Sequence, residues 1–130
     1  MREHLAILKL FYLRLILEGR KTIECRLTRI KYPPFRLIDP GDLILLKQSG
    51  GPVCGRARVK KVQFYENLTP ARVQEIRRSY NHLILGEEDY WESHQNSRYG
   101  SLIWLEKVEK IPPYRLPGWN MKSWKILSEP

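Results

Sequence analysis

The sequence holds only two cysteines in 130 residues, Cys25 and Cys54, and they share no Cys-x-x-Cys spacing. That is too few thiols for a structural metal site, and a single pair does not staple a domain of this size. Both read as small buried hydrophobes in a reducing compartment, which points to the cytoplasm. No metal and no cofactor are expected. There is no Gly-x-Gly-x-x-Gly and no Walker run, so nothing marks a nucleotide-cofactor fold. Internal repeats, low-complexity tracts and domain linkers are also missing. The longest apolar stretch, residues 5–17, is interrupted by Lys9 and Arg14. It is shorter than the roughly 20 apolar residues a bilayer span needs. Glu18-Gly19-Arg20-Lys21 follows it instead of a small-residue cleavage site, so it reads as core and not as a signal peptide. No membrane association is expected.

Negative charge is scarce. There are 14 Asp and Glu against 23 Lys and Arg, a net charge of +9, with a sequence pI near 9.8. An anionic partner follows, nucleic acid ahead of a membrane surface. Hydrophobic residues make up 42% of the chain, enough for one core, so disorder is not expected. The length suits a single domain over residues 1–130.

His4 to Leu10 reads as a strand and 11–18 as a short buried helix, apolar nearly all round, with Gly19 just past its end. Thr22 to Leu27 alternates: Ile23, Cys25 and Leu27 on one face, Thr22, Glu24 and Arg26 on the other. Pro33-Pro34 and Asp39-Pro40-Gly41 mark a loop. Asp42 to Gln48 is apolar on both faces, as in a central or barrel strand. Ser49-Gly50-Gly51-Pro52 is a turn. Val53 to Lys60 alternates again, with Arg56, Arg58 and Lys60 forming a basic ladder on the outer face. Thr69 caps a helix that runs from Pro70 to Tyr80. Its inner face carries Val73, Ile76 and Tyr80, and its outer face Arg72, Glu75, Arg77 and Arg78. Glu87-Glu88-Asp89 suits the first turn of a short helix carrying Tyr90-Trp91. Ser101–Val108 and Trp124–Leu127 complete the strands. Together they predict an α+β fold: a small, mostly antiparallel β-barrel of five or six strands with peripheral helices.

Functional residue types are densest in Gly19-Arg20-Lys21-Thr22-Ile23-Glu24-Cys25-Arg26. Glu24 and Arg26 share a strand face. Lys21 lies in the turn after Gly19, where alternation need not hold, so the three side chains can converge. Such a cluster can hold an anionic or polar ligand, with Arg26 as a bidentate fork and Lys21 as a point charge. It can also move a proton, if burial shifts the lysine or the glutamate. A solvated strand face with surface ion pairs is the plain alternative.

The pattern Gly-x-Lys-x-x-Glu-x-Arg, here Gly19, Lys21, Glu24 and Arg26, resembles the motif of the ASCH domain family. The likeness extends through the opening strand and helix, Asp39-Pro40-Gly41-Asp42 and Gly51-Pro52-Val53-Cys54-Gly55. It continues through Glu66-Asn67-Leu68-Thr69-Pro70, Tyr90-Trp91 and Ser101-Leu102-Ile103-Trp104-Leu105, to about residue 110. The resemblance implies a PUA-like barrel whose motif side chains line a cleft for RNA, single-stranded in preference, or for a nucleotide. Some relatives are hydrolases of RNA or of a modified nucleoside. One branch of similar fold removes the acetyl group from acetylated cytidine with a lysine, a threonine and a glutamate. Lys21 matches its lysine, but Glu24 stands where its threonine falls, which argues against the same amidohydrolase mechanism. If the chain is an enzyme, Lys21 and Glu24 are the catalytic candidates. A domain that binds a protein partner through its basic face is a third reading.

Other ligand candidates lie outside the motif. Arg56, Arg58 and Lys60 suit phosphates, which release counterions when neutralised. Tyr90, Trp91 and Tyr99 are candidates for base stacking, whereas Trp104 reads as core. Arg98 precedes a strand and is placed to close the cleft. Ser49 with Gly50-Gly51 offers backbone N–H groups to a phosphate. His82 and His94 have the chemistry of a ribonuclease acid–base pair, although no spacing joins them. Trp119 and Trp124 are expected to anchor the C-terminal tail.

Overall fold

The structure is a computed structural model that describes residues 1–117 and 123–129; Trp119 therefore lies outside the described residues. β1 (Glu3–Leu8) leads into α1 (Leu10–Leu17), then β2 (Ile23–Thr28), β3 (Leu43–Gln48) and β4 (Val53–Tyr65). α2 (Pro70–Ile84), α3 (Glu88–Ser93), β5 (Tyr99–Tyr114) and β6 (Trp124–Ser128) complete the order. The strands form one six-stranded sheet, ordered β2-β5-β4-β3-β1-β6. β1 and β3 run parallel, and the other neighbours are antiparallel.

The sheet curls into a half-barrel. β4 and β5 are long, at 13 and 16 residues, and their mutual register shifts at Val53/Gly55, Arg56/Arg58 and Val59/Lys61. Such bulges bend and twist a strand pair, so one long antiparallel pair serves both walls of the curl. β5 alternates between two cores. Ile103 and Leu105 pack with Ile16, Ile44, Ala57 and Val59. Leu102 packs with Ile23, Cys25, Leu27, Val73, Ile76 and Trp91, under α2 and α3. β2 therefore buries its odd-numbered residues against the helices and turns Glu24 and Arg26 the other way.

Local sequence sets the helix ends. Gly19 takes a φ of +78°, just beyond the Glu18 cap of α1. Its N–H bonds the Ile16 carbonyl, and those of Arg20 and Lys21 both bond the Leu15 carbonyl, each at 3.0 Å. This Schellman-type closure turns the chain sharply and delivers Lys21 under the helix. α1 is less enclosed than its composition suggests. Leu13, Leu15 and Ile16 are buried, but Leu10 and Phe11 are exposed. Thr69 caps α2, its hydroxyl accepting the Arg72 N–H at 3.2 Å. α2 runs one turn beyond Tyr80 and stops at Leu85, which is itself left-handed at φ +57°.

β6 is held to β1 by side chains as well as by the ladder. The buried Trp124 indole donates to His4 Nδ1 at 3.0 Å. An indole N–H only donates, so Nδ1 accepts and His4 offers Nε2–H to Asp42 at 2.9 Å. Burial alone would raise the Asp42 carboxyl. The His4 bond and the backbone N–H groups of Arg2 and Asp39 outweigh it and hold the group below its ordinary value. Among the described residues no helix is long and apolar enough to cross a membrane.

Candidate functional site

The half-barrel is open along one seam. β2 and β6 are the sheet edges, and no ladder joins β2 to the end of β1. Arg26 spans that gap. It donates through Nη1 to the Ser123 carbonyl at 3.1 Å and through Nη2 to the Ile7 carbonyl at 3.2 Å. Its guanidinium lies 5.1 Å from the Trp124 ring. Nε and Nη2 grip Glu24 Oε2 at 2.7 and 2.6 Å.

Glu24 joins Arg26 to Lys21. Lys21 Nζ lies 3.3 Å from Glu24 Oε1 and donates to the carbonyls of Ile23 at 2.9 Å and Ile84 at 2.6 Å. Lys21 is only 3% exposed, and the Tyr12 ring sits 5.4 Å from its nitrogen. An ammonium has three N–H donors, and a carboxylate and two carbonyls occupy them here. In this arrangement Lys21 has neither a free donor nor a lone pair. Burial alone would raise the Glu24 carboxyl, but the charges and hydrogen bonds of Arg26 and Lys21 hold it below its ordinary value. Glu24 is thus a fixed carboxylate acceptor.

These residues form part of the lining of a cleft of about 290 Å³ at the seam. Lys9 and Tyr12 come from the start of α1, Thr28 from the end of β2, and Asp89, Tyr90 and His94 from α3 and its cap. Tyr12 and Tyr90 meet edge to face at 6.4 Å. The Tyr90 hydroxyl donates to the Cys25 carbonyl at 2.8 Å. Burial, with Cys25 next in weight, pushes its phenol well above the usual range. Burial also raises the Cys25 thiol to about 11, which leaves it inert as a nucleophile. His94 stacks on Tyr90 at 4.3 Å, and its Nδ1 lies 2.8 Å from the Tyr90 carbonyl. A carbonyl only accepts, so Nδ1 carries the hydrogen. Nε2 is left without a partner among the described residues.

Lys21, Glu24, Arg26 and Tyr90 thus meet in one cleft. The fork of Arg26 is turned onto Glu24 and two carbonyls instead of being held open for a ligand. Trp91 is not a stacking surface. It is fully buried, and its indole N–H reaches Asn81 Oδ1 and the Gly86 carbonyl, both at 3.2 Å. Tyr99 packs against Phe35, outside the cleft lining. Trp104 is half-buried, edge-on to Tyr80 and under Lys61. Ser49 is exposed outside the lining, its N–H on the Leu8 carbonyl at 2.8 Å. Arg56 pairs with Glu109, and Arg58 faces Glu106 across the ladder while donating to the Gly41 carbonyl. His82 is exposed on α2 and, unlike His94, does not line the cleft. Arg98 is exposed beside the cleft, its N–H bonded to the Thr28 carbonyl. Among the described residues no group of His, Cys, Asp and Glu is arranged to hold a metal.

Sequence reasoning missed Lys9, Tyr12 and Asp89 as wall residues. An aromatic pair, Phe11-Tyr12, opening an otherwise aliphatic helix was the available signal for one wall. The acidic run before Tyr90 was the signal for the other.

The fold and sequence both have counterparts. A crystal structure of an ASCH protein from Zymomonas mobilis superposes with a TM-score of 0.74 at 17% identity, covering 98% of this chain and 88% of that one. A tyrosine-to-phenylalanine variant of the Zymomonas mobilis protein gives 0.76 at 17% identity, with 99% and 92% covered. A serine-to-alanine variant gives 0.75 at 17%, with 98% and 89% covered. At that identity the likeness establishes the fold. No curated protein matches the chain. The ASCH domain profile matches residues 8–125, nearly the whole sequence, and the chain belongs to the ASCH domain family.

Proposed function

We propose that this protein is a cytoplasmic RNA-binding ASCH domain whose seam cleft takes one nucleotide unit, from single-stranded RNA or free. The observation that carries the reading is the lining of the cleft. Tyr12 and Tyr90 offer aromatic surface, and the same lining holds the Glu24 carboxylate, a fixed acceptor, and His94, whose Nε2 has no partner among the described residues. Ligand pockets are commonly about 300–1,000 Å³, so a cleft of about 290 Å³ suits one base with its sugar and not a duplex. Lys21 and Arg26 serve the site from behind, by keeping Glu24 ionised and oriented. The fixed Glu24 carboxylate favours a base that presents an amino group. The net charge of +9 and the general association of the family with RNA support the same partner. A hydrolase built on Lys21 as base or nucleophile would first have to free Nζ from three partners.

The test is an anisotropy titration of labelled single-stranded RNA across salt concentrations, with wild type and Tyr12→Leu. Affinity should fall steeply with salt. Tyr12→Leu should weaken binding about tenfold, within the range expected when a base loses its aromatic stacking partner. Absence of binding at low salt, or indifference to Tyr12→Leu, overturns the reading.

A further inference from the structure

Most arginines around the sheet already have protein partners. Arg2, Arg36, Arg56 and Arg77 sit in ion pairs with carboxylates, and Arg58 donates to a carbonyl. Arg29 and Arg98 do not. Both are exposed, and neither guanidinium has a partner among the described residues.

These two arginines are also neighbours. Thr28 and Tyr99 form the last pair of the β2–β5 ladder. Beyond it the Arg98 N–H donates to the Thr28 carbonyl at 2.9 Å, one residue out of the ladder's register, which brings the Arg98 backbone beside Thr28 and so next to Arg29. Among the described residues no carboxylate forms an ion pair with either arginine. Both stand next to residues that line the cleft. Arg29 directly follows Thr28, which lines it. Arg98 follows the turn from His94, also a lining residue, that the Ser97 N–H closes on the His94 carbonyl at 3.1 Å. Lys31, two residues past Arg29, lies over the Tyr99 ring at 6.0 Å and, unlike the two arginines, pairs with a carboxylate, Glu66, at 3.9 Å.

We infer that Arg29 and Arg98 form a phosphate clamp at the mouth of the cleft, so that the ligand is a single-stranded RNA whose backbone crosses the end of β2. This rests on the nucleotide reading of the cleft and adds the part of the ligand that lies outside it. The labour is divided. Inside, the motif cations are bound up with Glu24, and the site meets the base. Outside, two guanidinium forks match the geometry of phosphate oxygens. A free nucleoside satisfies the first half only.

The experiment compares wild type with the double variant Arg29→Ala, Arg98→Ala, with Arg56→Ala and with Tyr12→Leu. The probes are a short mixed-sequence single-stranded RNA, followed by anisotropy, and the free nucleosides, followed by saturation-transfer NMR. Both clamp residues are exposed, so the double variant should fold; its thermal transition checks this. The double variant should bind the RNA about tenfold more weakly, with the salt slope reduced by about 0.7 for each phosphate it no longer neutralises. Its nucleoside binding should match wild type. Unchanged RNA affinity and slope in the double variant, with Tyr12→Leu still impaired, overturns the clamp and leaves the cleft reading standing. An equal loss from Arg56→Ala overturns it too, because the effect would then be net charge alone. If Tyr12→Leu is also without effect, both readings fall together.

Discussion

Two strands of this protein carry arginines on one face, and the protein treats them in opposite ways. On β2, Arg26 points with Glu24 into the seam and closes a gap in the sheet. On β4, Arg56 and Arg58 point outward, opposite Glu109 and Glu106 of β5. Alternation generates both patterns, and charge counting scores them alike. Burial separates them. With water excluded, a cation needs a partner in the protein, and Glu24 sits between two of them. In water, a charged pair is screened and loosely held, and its contribution is about 0–1 kcal/mol. A buried cation in a motif therefore positions other groups, whereas an exposed cation without a carboxylate remains available for a ligand.

The largest expected effect comes from breaking the buried group. Glu24→Ala leaves Lys21 and Arg26 facing each other without their carboxylate. It should cost about 3–5 kcal/mol in urea unfolding, the usual penalty for removing one partner of a buried ion pair. A loss below about 1 kcal/mol would mean that water reaches the seam and the two regions are not different in kind.

Acid should probe the same contrast less severely. The folded Glu24 and Asp42 carboxyls both lie below their ordinary values. The stability they contribute is therefore fully present above about pH 4.3, the unfolded carboxylate range, and lost as pH falls through the folded values. Unfolding free energies measured from neutral pH downward should decline there for wild type, and less so for Glu24→Gln. Equal slopes would remove Glu24 from the account.

Arg56→Ala should change stability by less than about 1 kcal/mol in the same urea assay, as an exposed pair does. A loss as large as that of Glu24→Ala would erase the comparison. Smallest of all should be the release of acetate from acetylcytidine, read by chromatography against a buffer blank. With its three N–H groups engaged, Lys21 should give no rate well above background, and rapid release would refute the saturation argument.

Much of this was legible in the sequence, for reasons that lie in local geometry. Glu24 and Arg26 share a face because strands alternate, and Gly19 is where a helix terminates left-handed. Other features depend on partners far along the chain. Lys21 is held by the Ile84 carbonyl, 63 residues away, and nothing near Lys21 announces it. β4 and β5 extend well past Lys60 and Val108. Their bulges break the alternation at Lys60-Lys61, and Pro112-Pro113 reads as a terminator although it falls inside β5. Trp91 went inward because Asn81 and Gly86 satisfy its indole from the preceding helix and turn.

The seam also has a history in time. Its two sides come from opposite ends of the chain: Ile7 and Arg26 are made early, while Ser123 and Trp124 follow about a hundred residues later. Chains emerge vectorially, and pairings of long sequence separation form slowly. β1 can find β3 as soon as residue 48 is free. The clasp of Arg26 on Ser123, and the pairing of Trp124 with His4, must wait until residues 123 and 124 have emerged. Ser123 lines the cleft, so a nascent chain carries the first five strands of its sheet before it carries its site. The cleft lining is complete only once Ser123 has emerged, about a hundred residues after Arg26.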